Sequence, residues 1–347
     1  MAELMRQVVV SRRGGPEVLE VRQAPVPTVG KGQVRIRVAA AGVIFADVLM
    51  REGLYPDIPP LPFVPGVEVV GTIDAVGPGV ENLSEGQRVA ALCGFGGYTE
   101  SLALDAWLAV PIPEGVGDAD AIALVVNYLT AYQMLRRLAR IQPGERVLVH
   151  GAGGGVGTAL LDLAVGMNLR AWGTASKRKH AVVAQYGAVP IDYTIEDFVD
   201  VVRRQTGDGV DAVFDPIGGR HWRRSLRALR PGGRLVGYGF SAALEGGRRR
   251  LLRAALAWLL NPRPSPLGLA LSNKGMFGYS VQNLRMQRRD WYREDLQELL
   301  RLCAEGAIKP VIGRILPLAE AATAHRLLGS AEVAGKIVLQ TPLGSSR

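Results

Sequence analysis

Residues 147–157 read VLVHGAGGGVG, and this stretch decides the fold. Three apolar residues lead into five glycines within positions 151–157, and the chain then continues as TALLDLAVGMNLRAW. A strand, a glycine-rich turn and a helix in this order form a dinucleotide cradle. Glycine allows the tight turn and lets a pyrophosphate approach the N–H groups at the start of the helix. The residues predicted to hold the dinucleotide here are Ala152, Gly154, Gly155, Val156 and Gly157.

The next strand indicates which dinucleotide binds. A site for NAD holds the ribose 2′-hydroxyl with a carboxylate about twenty residues after the glycine motif, whereas a 2′-phosphate needs space and cations. Residues 169–179 read LRAWGTASKRK and contain no acid. Ser176, Lys177 and Arg178 supply a hydroxyl and two cations, which favours NADPH. The alternative is a solvated basic loop that opens the next helix.

Composition limits the classes of protein to which the chain can belong. Its 347 residues suggest about two domains, and 48% hydrophobic content is ordinary for a soluble globular protein. Cys93 and Cys303 are the two cysteines, so we expect no disulfide framework and a reducing, cytoplasmic setting. We expect no signal peptide and no membrane-spanning segment. The net charge of +9 suits an anionic cofactor, and the absence of a nucleic-acid-binding motif predicts no nucleic-acid partner.

The pattern of elements predicts an α/β protein. Residues 1–126 contain short alternating segments separated by glycine turns, which indicates a β-rich domain. Residues 127–280 alternate strand and helix patterns, which indicates a doubly wound parallel sheet of the Rossmann type, and residues 281–347 return to the first domain. The strands predicted for the parallel sheet lie near 146–150, 169–174, 189–192, 211–215, 233–239 and 275–280. Beyond them we predict a helix at 291–305 and a strand at 335–339.

Several segments together resemble one known family. They include GVIFADVLMREGLYP (42–56), PFVPGVEVVGTIDAVGPGV (62–80), NYLTAY (127–132), FDPIGG (214–219), RPGGRLVGYG (230–239) and GKIVL (335–339). The chain resembles the medium-chain dehydrogenase/reductase superfamily, in its zinc-free quinone oxidoreductase (zeta-crystallin-like) branch. Residues 244–282 are similar to the VAT-1-like subgroup. The resemblance implies a GroES-like substrate domain built from both chain ends, a Rossmann domain between them and a homodimer formed through the Rossmann domain.

The resemblance also implies that no metal is bound. Zinc-dependent members place a cysteine and a Gly-His-Glu segment around the metal, and the matching positions here are Ile44 and Gly66-Val67-Glu68. Isoleucine and valine cannot bind zinc. The four histidines of the chain lie far apart without ligand spacing, and His150 at the end of a strand is interpreted as a structural residue.

A zinc-free reductase needs a substrate that stabilises negative charge by itself. A quinone or an α,β-unsaturated carbonyl compound does so through its own oxygen, so the protein needs only to orient and polarise it. The resemblance places Thr130 near the nicotinamide and Tyr55 toward the substrate, as the catalytic residues. Tyr55 is equally well interpreted as packing in its proline-rich loop. The residues expected to line the substrate are Ile44, Asp47, Tyr55 and Tyr128.

The resemblance adds further residues to the cofactor site. Lys177 and Tyr193 match family positions that approach the 2′-phosphate, although Tyr193 also suits an exposed aromatic at a strand end. The remaining residues expected at the cofactor are Thr174, Ser176, Gly239, Phe240, Phe277 and Lys336.

Two features keep a second function open. Ile44 stands where the quinone reductases usually carry asparagine, so a polar anchor is lost and a more apolar substrate is favoured. Arg248–Leu260 reads RRRLLRAALAWLL, which suits a lid, a packed helix or a peripheral contact with an anionic membrane. The alternative to a reductase is therefore a non-enzymatic NADPH-binding protein that acts through a membrane surface or a protein partner.

Overall fold

The computed structural model describes residues 3–55, 58–239 and 265–342. Its contacts divide the chain into two compact units. The first unit comprises Met1–Leu129 and Arg285–Arg347, and the second comprises Thr130–Leu284. Two features of the sequence analysis, Phe240 and Arg248–Leu260, lie outside the described residues.

The first unit is rich in β-structure. Its main sheet has the strand order β14-β15-β3-β4-β5-β7, β6 pairs with β3, and β1 and β2 form a separate antiparallel pair. These strands are β1 (Leu4–Val10), β2 (Leu19–Pro25), β3 (Gln33–Val43), β4 (Glu68–Val76), β5 (Arg88–Leu92), β6 (Ser101–Asp105), β7 (Ala109–Pro111), β14 (Ile312–Pro317) and β15 (Lys336–Gln340). In β3, Val34, Ile36 and Val38 are buried while Arg37 is exposed, because successive side chains point to opposite faces of a sheet.

Helices cover this sheet. They are α1 (Phe45–Glu52), α2 (Asp118–Ala123), α10 (Arg289–Ala304) and α11 (Ala321–Gly329). Two more helices, α3 (Leu129–Gln133) and α9 (Val281–Gln287), cross the boundaries between the units. The stretch Leu124–Tyr128, between α2 and α3, is π-helical. The Tyr292 hydroxyl of α10 donates to the Leu108 carbonyl at 2.7 Å and accepts from the Leu92 N–H at 3.0 Å, so α10 is fastened to the edge of the sheet.

The second unit contains a six-stranded parallel sheet with the order β10-β9-β8-β11-β12-β13. The strands are β8 (Arg146–His150), β9 (Arg170–Ala175), β10 (Val189–Asp192), β11 (Val210–Asp215), β12 (Leu229–Gly237) and β13 (Gly275–Gly278). The helices are α4 (Gly155–Gly166), α5 (His180–Ala184), α6 (Phe198–Thr206), α7 (Arg220–Ala228) and α8 (Pro266–Ser272). This sheet, together with the β-rich first unit, confirms the predicted α/β fold class.

The strand order of the second unit defines where ligands bind. From β8 the chain proceeds outward to β9 and β10, then crosses back to β11 on the other side of β8. In open parallel sheets, ligands bind beyond the carboxyl ends of the strands at this reversal. Leu148 and Val213, in the two central strands, are fully buried, so both strands lie in the core. Within the described ranges, no helix is long and apolar enough to cross a membrane.

Candidate active site

The glycine turn after β8 leaves the start of α4 open. Gly151 has a φ of +65°, Ala152 N–H donates to the Thr174 carbonyl at 3.0 Å, and Gly154 N–H donates to the Gly151 carbonyl at 2.9 Å. Helix α4 begins at Gly155, and no side chain in the described part of the chain caps it. Its first N–H groups therefore remain available to an anion, and the helix dipole favours negative charge there.

Close contacts explain the glycines of this turn. A Cβ atom on Gly157 would lie 2.3 Å from the Gly151 carbonyl oxygen and 2.6 Å from Ala152 Cα. On Gly153, a Cβ would lie 2.7 Å from Cδ of Lys179. Backbone therefore packs directly against backbone where the strand turns into the helix. This arrangement fits a dinucleotide, because a pyrophosphate needs bare backbone at this point.

The end of β9 supplies the polar groups expected beside the adenosine ribose. Thr174 is buried, and its hydroxyl lies 3.0 Å from Nδ1 of His150. Ser176 is half-buried, and Lys177 is exposed. Tyr193, after the neighbouring strand β10, is 59% exposed.

Sequence reasoning missed one carboxylate in this region. Asp192 ends β10 and lies opposite Ala175 of β9. Hydrogen bonds from the side chain and the N–H of Thr194 lower the pKa of Asp192, and the charge of Lys177 acts in the same direction. An acid therefore does stand near the end of β9, but it comes from the adjacent strand. Only the parallel pairing of the two strands reveals it.

The other predicted cofactor residues of this unit lie on β12, β13 and the adjoining turns. Gly239 is half-buried, and a Cβ on it would lie 2.7 Å from the Pro216 carbonyl oxygen. Phe277 lies in the edge strand β13 and is 39% exposed. Tyr279, just beyond β13, donates to the side chain of Gln133 at 2.7 Å.

In the first unit, Asp47 is bound to the backbone. Its carboxylate accepts from the N–H of Ile44 at 2.9 Å and of Gly66 at 3.3 Å, and from the Tyr98 hydroxyl at 3.2 Å. Burial raises the pKa of Asp47 to about 7 in spite of the hydrogen bond from Ile44. Asp47 was predicted to line the substrate. The structure shows it fully buried, where it fixes the start of α1 and the turn before β4.

A chain of buried polar groups continues from Tyr98. Its hydroxyl lies 3.1 Å from Nε2 of His325, and Nδ1 of His325 lies 3.0 Å from Nη1 of Arg51. Because a guanidinium only donates, Nδ1 must accept, so the proton of the neutral ring lies on Nε2. Arg51 also pairs with Glu52 at 2.6 Å. Burial, helped by the positive charge of Arg51, lowers the pKa of His325 to about 3.

Lys336, predicted to bind the cofactor, forms a buried ion pair with Glu68. Both side chains are almost fully inaccessible to solvent. Burial raises the pKa of Glu68, and the charge of Lys336 opposes this shift. The ammonium of Lys336 is thus engaged with a carboxylate inside the first unit.

The residues at the family's zinc positions do not fit a metal. Ile44 and Val67 offer only hydrocarbon, and Glu68 is paired with Lys336. The nearby Cys93 thiol lies 3.6 Å from the Gly66 carbonyl oxygen, and burial raises its pKa to about 12. A protonated thiol and an ion-paired carboxylate do not form a zinc site.

The two predicted catalytic residues belong to different units. Tyr55 is half-buried in the first unit, and Thr130 is 4% exposed at the beginning of the second. Tyr128 is buried at the end of the π-helical stretch of the first unit. Such helical irregularities often occur at functional sites. The roles of Tyr55, Tyr128 and Thr130 stay predictions.

Comparison with known proteins gives the chain its relatives. Residues 30–114 match the family model of the alcohol dehydrogenase GroES-like domain, and residues 186–339 match that of zinc-binding dehydrogenases. The chain is 36% identical over 339 residues to the synaptic vesicle membrane protein VAT-1 homolog of Rattus norvegicus, which covers 96% of this chain and 84% of the relative.

Solved structures show the same fold. The Escherichia coli quinone oxidoreductase complexed with NADPH has a TM-score of 0.85 and 29% identity, with 96% of this chain and 99% of that chain covered. A mycobacterial protein complexed with NADPH has a TM-score of 0.85 and 30% identity, with 97% and 100% covered. The human VAT-1 homolog-like protein has a TM-score of 0.85 and 29% identity, with 98% of each chain covered.

The contacts of Gly157 predict the effect of filling the turn. Gly157→Ala forces the Gly151 carbonyl away from the start of α4, so we expect at least a tenfold loss of dinucleotide affinity, measured by fluorescence titration. Gly166→Ala, near the end of the same helix, is the matched control because a Cβ there meets nothing within 4 Å. Equal affinities of the two variants would contradict the proposed role of the turn.

The environment of His325 predicts a pH effect on stability. The pKa of His325 is about 3 in the folded protein and about 6.5 in the unfolded chain. Between these pH values, His325 therefore binds a proton in the unfolded chain and not in the folded protein. The contribution of His325 to the free energy of unfolding is therefore fully present above pH 6.5 and is lost as the pH falls toward 3. We expect the unfolding free energy of the parent to fall by about 1.4 kcal/mol per pH unit more than that of His325→Gln.

Denaturant titrations of both proteins across this pH range make the measurement. The difference between the two proteins at each pH removes the contribution of Asp47, which titrates in the same range. Parallel pH profiles would contradict the neutral, buried state of His325.

Proposed function

This chain belongs to the medium-chain dehydrogenase/reductase superfamily, as an oxidoreductase of the branch that holds quinone oxidoreductases and VAT-1-like proteins, and on that premise we propose its reaction. The proposed reaction is the NADPH-dependent reduction of a quinone or an α,β-unsaturated carbonyl compound, without zinc at the reacting centre. The observation that carries it is the open glycine turn of α4 followed by an acid-free segment with Ser176 and Lys177. Two similar solved structures are complexed with NADPH, which supports the same cofactor here.

The proposed chemistry requires little from the protein. When bound, NADPH supplies the hydride, and the negative charge that develops on the acceptor moves to its own oxygen. We assign Tyr55 the hydrogen bond or proton to that oxygen, and Thr130 the orientation of the reacting ring. Ile44 removes a polar anchor from the substrate side, which favours an apolar acceptor. The proposed setting is the reducing cytoplasm, in keeping with two cysteines, Cys93 and Cys303, that are not joined in a disulfide.

A second candidate function rests on Ile44 and on the relatives. Seven related sequences carry the name VAT-1 or a VAT-1 homolog, which is called a synaptic vesicle membrane protein. A protein of this second kind would bind NADPH and act through a membrane surface or a protein partner without turnover. Thr130→Val separates the two functions, since it lowers the turnover of a reductase and leaves simple binding intact.

A panel of quinones and α,β-unsaturated ketones tests the proposed reaction. We expect the purified protein to oxidise NADPH with at least one acceptor, and faster than NADH. Lys177→Ala should raise the KM for NADPH at least tenfold and leave that for NADH unchanged, because loss of one charge-assisted hydrogen bond costs about 1.5–3 kcal/mol. Lys31→Ala, an exposed lysine of the first unit, is the control.

The outcome of the panel decides between the candidates. Tight NADPH binding without turnover by any acceptor would overturn the reductase and favour the second function. Turnover that is equally fast with NADH and unaffected by Lys177→Ala would overturn the proposed phosphate site.

We further propose a homodimer formed through the second unit. β13 is the last strand of its sheet, so its outer edge carries backbone groups without a neighbouring strand among the described residues. Beside it in sequence, Leu267 and Leu271 of α8 are 68% and 78% exposed. A second copy paired edge to edge would cover both features.

Sedimentation analysis tests this dimer. We expect twice the chain mass of 37.2 kDa, and at least a tenfold weaker association after Leu267→Lys with Leu271→Lys, because each charge would face an apolar interface. Ile195→Lys, next to the opposite edge strand β10 at a residue 81% exposed, is the control. A monomer, or equal weakening by the control, would contradict the proposed interface.

A further inference from the structure

Three side chains with metal-binding atoms converge at the carboxyl ends of β8 and β11. One ligand atom from each of His150, Asp215 and His221 lies within 4.8 Å of the other two. Nδ1 of His221 lies 2.7 Å from Oδ2 of Asp215. The spacing of the histidines in the sequence does not predict this cluster, because His150 and His221 are far apart along the chain. They meet because β8 pairs with β11 and because α7, which carries His221, begins close to the end of β11 at Asp215.

Each buried ligand candidate already has an outer partner. Nδ1 of His150 lies 3.0 Å from the Thr174 hydroxyl, so Nε2 is the nitrogen directed at the cluster. Oδ1 of Asp215 accepts from the N–H groups of Ile217 at 2.8 Å and Gly218 at 3.4 Å, which leaves Oδ2 for the cluster. Metal-binding histidines and carboxylates are characteristically held by such second partners, which fix the tautomer and the orientation of the ligand.

A fourth polar atom lies among the three. The Ser225 hydroxyl donates to Oδ2 of Asp215 at 2.6 Å and lies 3.2 Å from Nε2 of His150. The ring of Phe198 packs against both imidazoles, with ring centroids 4.5 Å from His150 and 5.1 Å from His221. His150 and Asp215 are fully buried, whereas the His221 side chain is 19% exposed and offers the route of entry.

We propose that His150, Asp215 and His221 bind one divalent transition-metal ion of the zinc class, with the Ser225 hydroxyl or a water in the fourth position. Two imidazoles and one carboxylate suit zinc, cobalt or nickel, whereas calcium and magnesium prefer oxygen ligands. Each imidazole binds the ion through an unprotonated nitrogen. On binding, the Nδ1 proton of His221 leaves and Nε2 of that ring carries the proton instead. Nε2 of His150 likewise gives up the proton that it donates to the Ser225 hydroxyl, and Nδ1 takes one up from water and donates it to the Thr174 hydroxyl. The ion replaces the hydrogen bond between His221 and Asp215.

The location gives the ion a structural effect. His150 is the residue directly before the glycine turn, and Asp215 is directly before the Pro216–Gly219 turn. A metal ion between them would join the ends of β8 and β11 at the reversal of strand order. This site requires neither NADPH nor turnover, so it goes beyond the proposed function and is tested separately from it.

The test uses the full chain stripped of metal by a chelator and titrated with zinc chloride. Calorimetry should give one equivalent of bound zinc, and thermal unfolding should shift to higher temperature, because an ion that binds only the folded state stabilises it. His221→Ala should weaken zinc binding at least tenfold and abolish the thermal shift. His180→Ala, a histidine outside the cluster, and Cys303→Ser, a thiol outside the cluster, should leave both unchanged.

Two results would overturn the proposal. One is the absence of a saturable equivalent in the parent protein, which would leave the cluster as a metal-free hydrogen-bond network. The other is unaltered zinc binding by His221→Ala. If that variant fails to fold, the visible spectrum of the cobalt-loaded parent protein decides whether the cluster binds a metal ion. Bands of nitrogen and oxygen ligation support the site, and a thiolate charge-transfer band or no bound cobalt overturns it.

Discussion

The contact between Gly157 and the carbonyl of Gly151 is the constraint on which the second unit depends. A Cβ atom added at position 157 would lie only 2.3 Å from that oxygen, so any larger residue would push the start of α4 away from the end of β8. Because the turn is tight, the first residues of α4 pack against the end of β8. Among the described residues, no side chain caps the first N–H groups of α4. A tight turn and an anion site are thus two results of the same packing.

Buried charges have the corresponding role in the first unit. Glu68 on β4 and Lys336 on β15 meet inside the sheet, and a Cβ on Gly42 of the intervening strand would collide with both. Burial of either charge alone would cost several kcal/mol, so each needs the other. The pair therefore links the C-terminal strand to the N-terminal strands. It gives a physical reason why both ends of the chain build one unit.

The sequence predicts the elements well where an apolar run is bounded by turn residues. The strands at 146–150 and 189–192 match β8 and β10, and the predicted helix at 291–305 overlaps α10 closely. The start of β12 was missed because Arg230–Gly233 reads as a turn. In the structure Leu229 pairs with Val210 and the next pair is Arg234 with Ala212, so the Pro-Gly-Gly segment bulges out within one strand.

Long-range polar partners are beyond sequence reasoning. Lys336 and Glu68 are 268 residues apart, and His325 and Arg51 are 274 apart. Local spacing cannot pair such residues, so a lysine that matches a cofactor position by resemblance is found in an internal ion pair. Asp192 was missed for the same reason, since only strand pairing brings it opposite Ala175.

The buried polar groups also bear on how a substrate would be polarised. Asp47 accepts hydrogen bonds from two backbone N–H groups and a tyrosine hydroxyl, and Glu68 is paired with the ammonium of Lys336. Neither carboxylate is therefore available as a metal ligand or a general base. Where a zinc enzyme would use the positive charge of its ion, this unit has the charge of Lys336, already compensated by Glu68. Under the proposed function, polarisation of the acceptor carbonyl is assigned to neutral donors, the hydroxyls of Tyr55 and Thr130. Neutral donors suffice only for acceptors that delocalise charge onto their own oxygen, and quinones and enones are such acceptors.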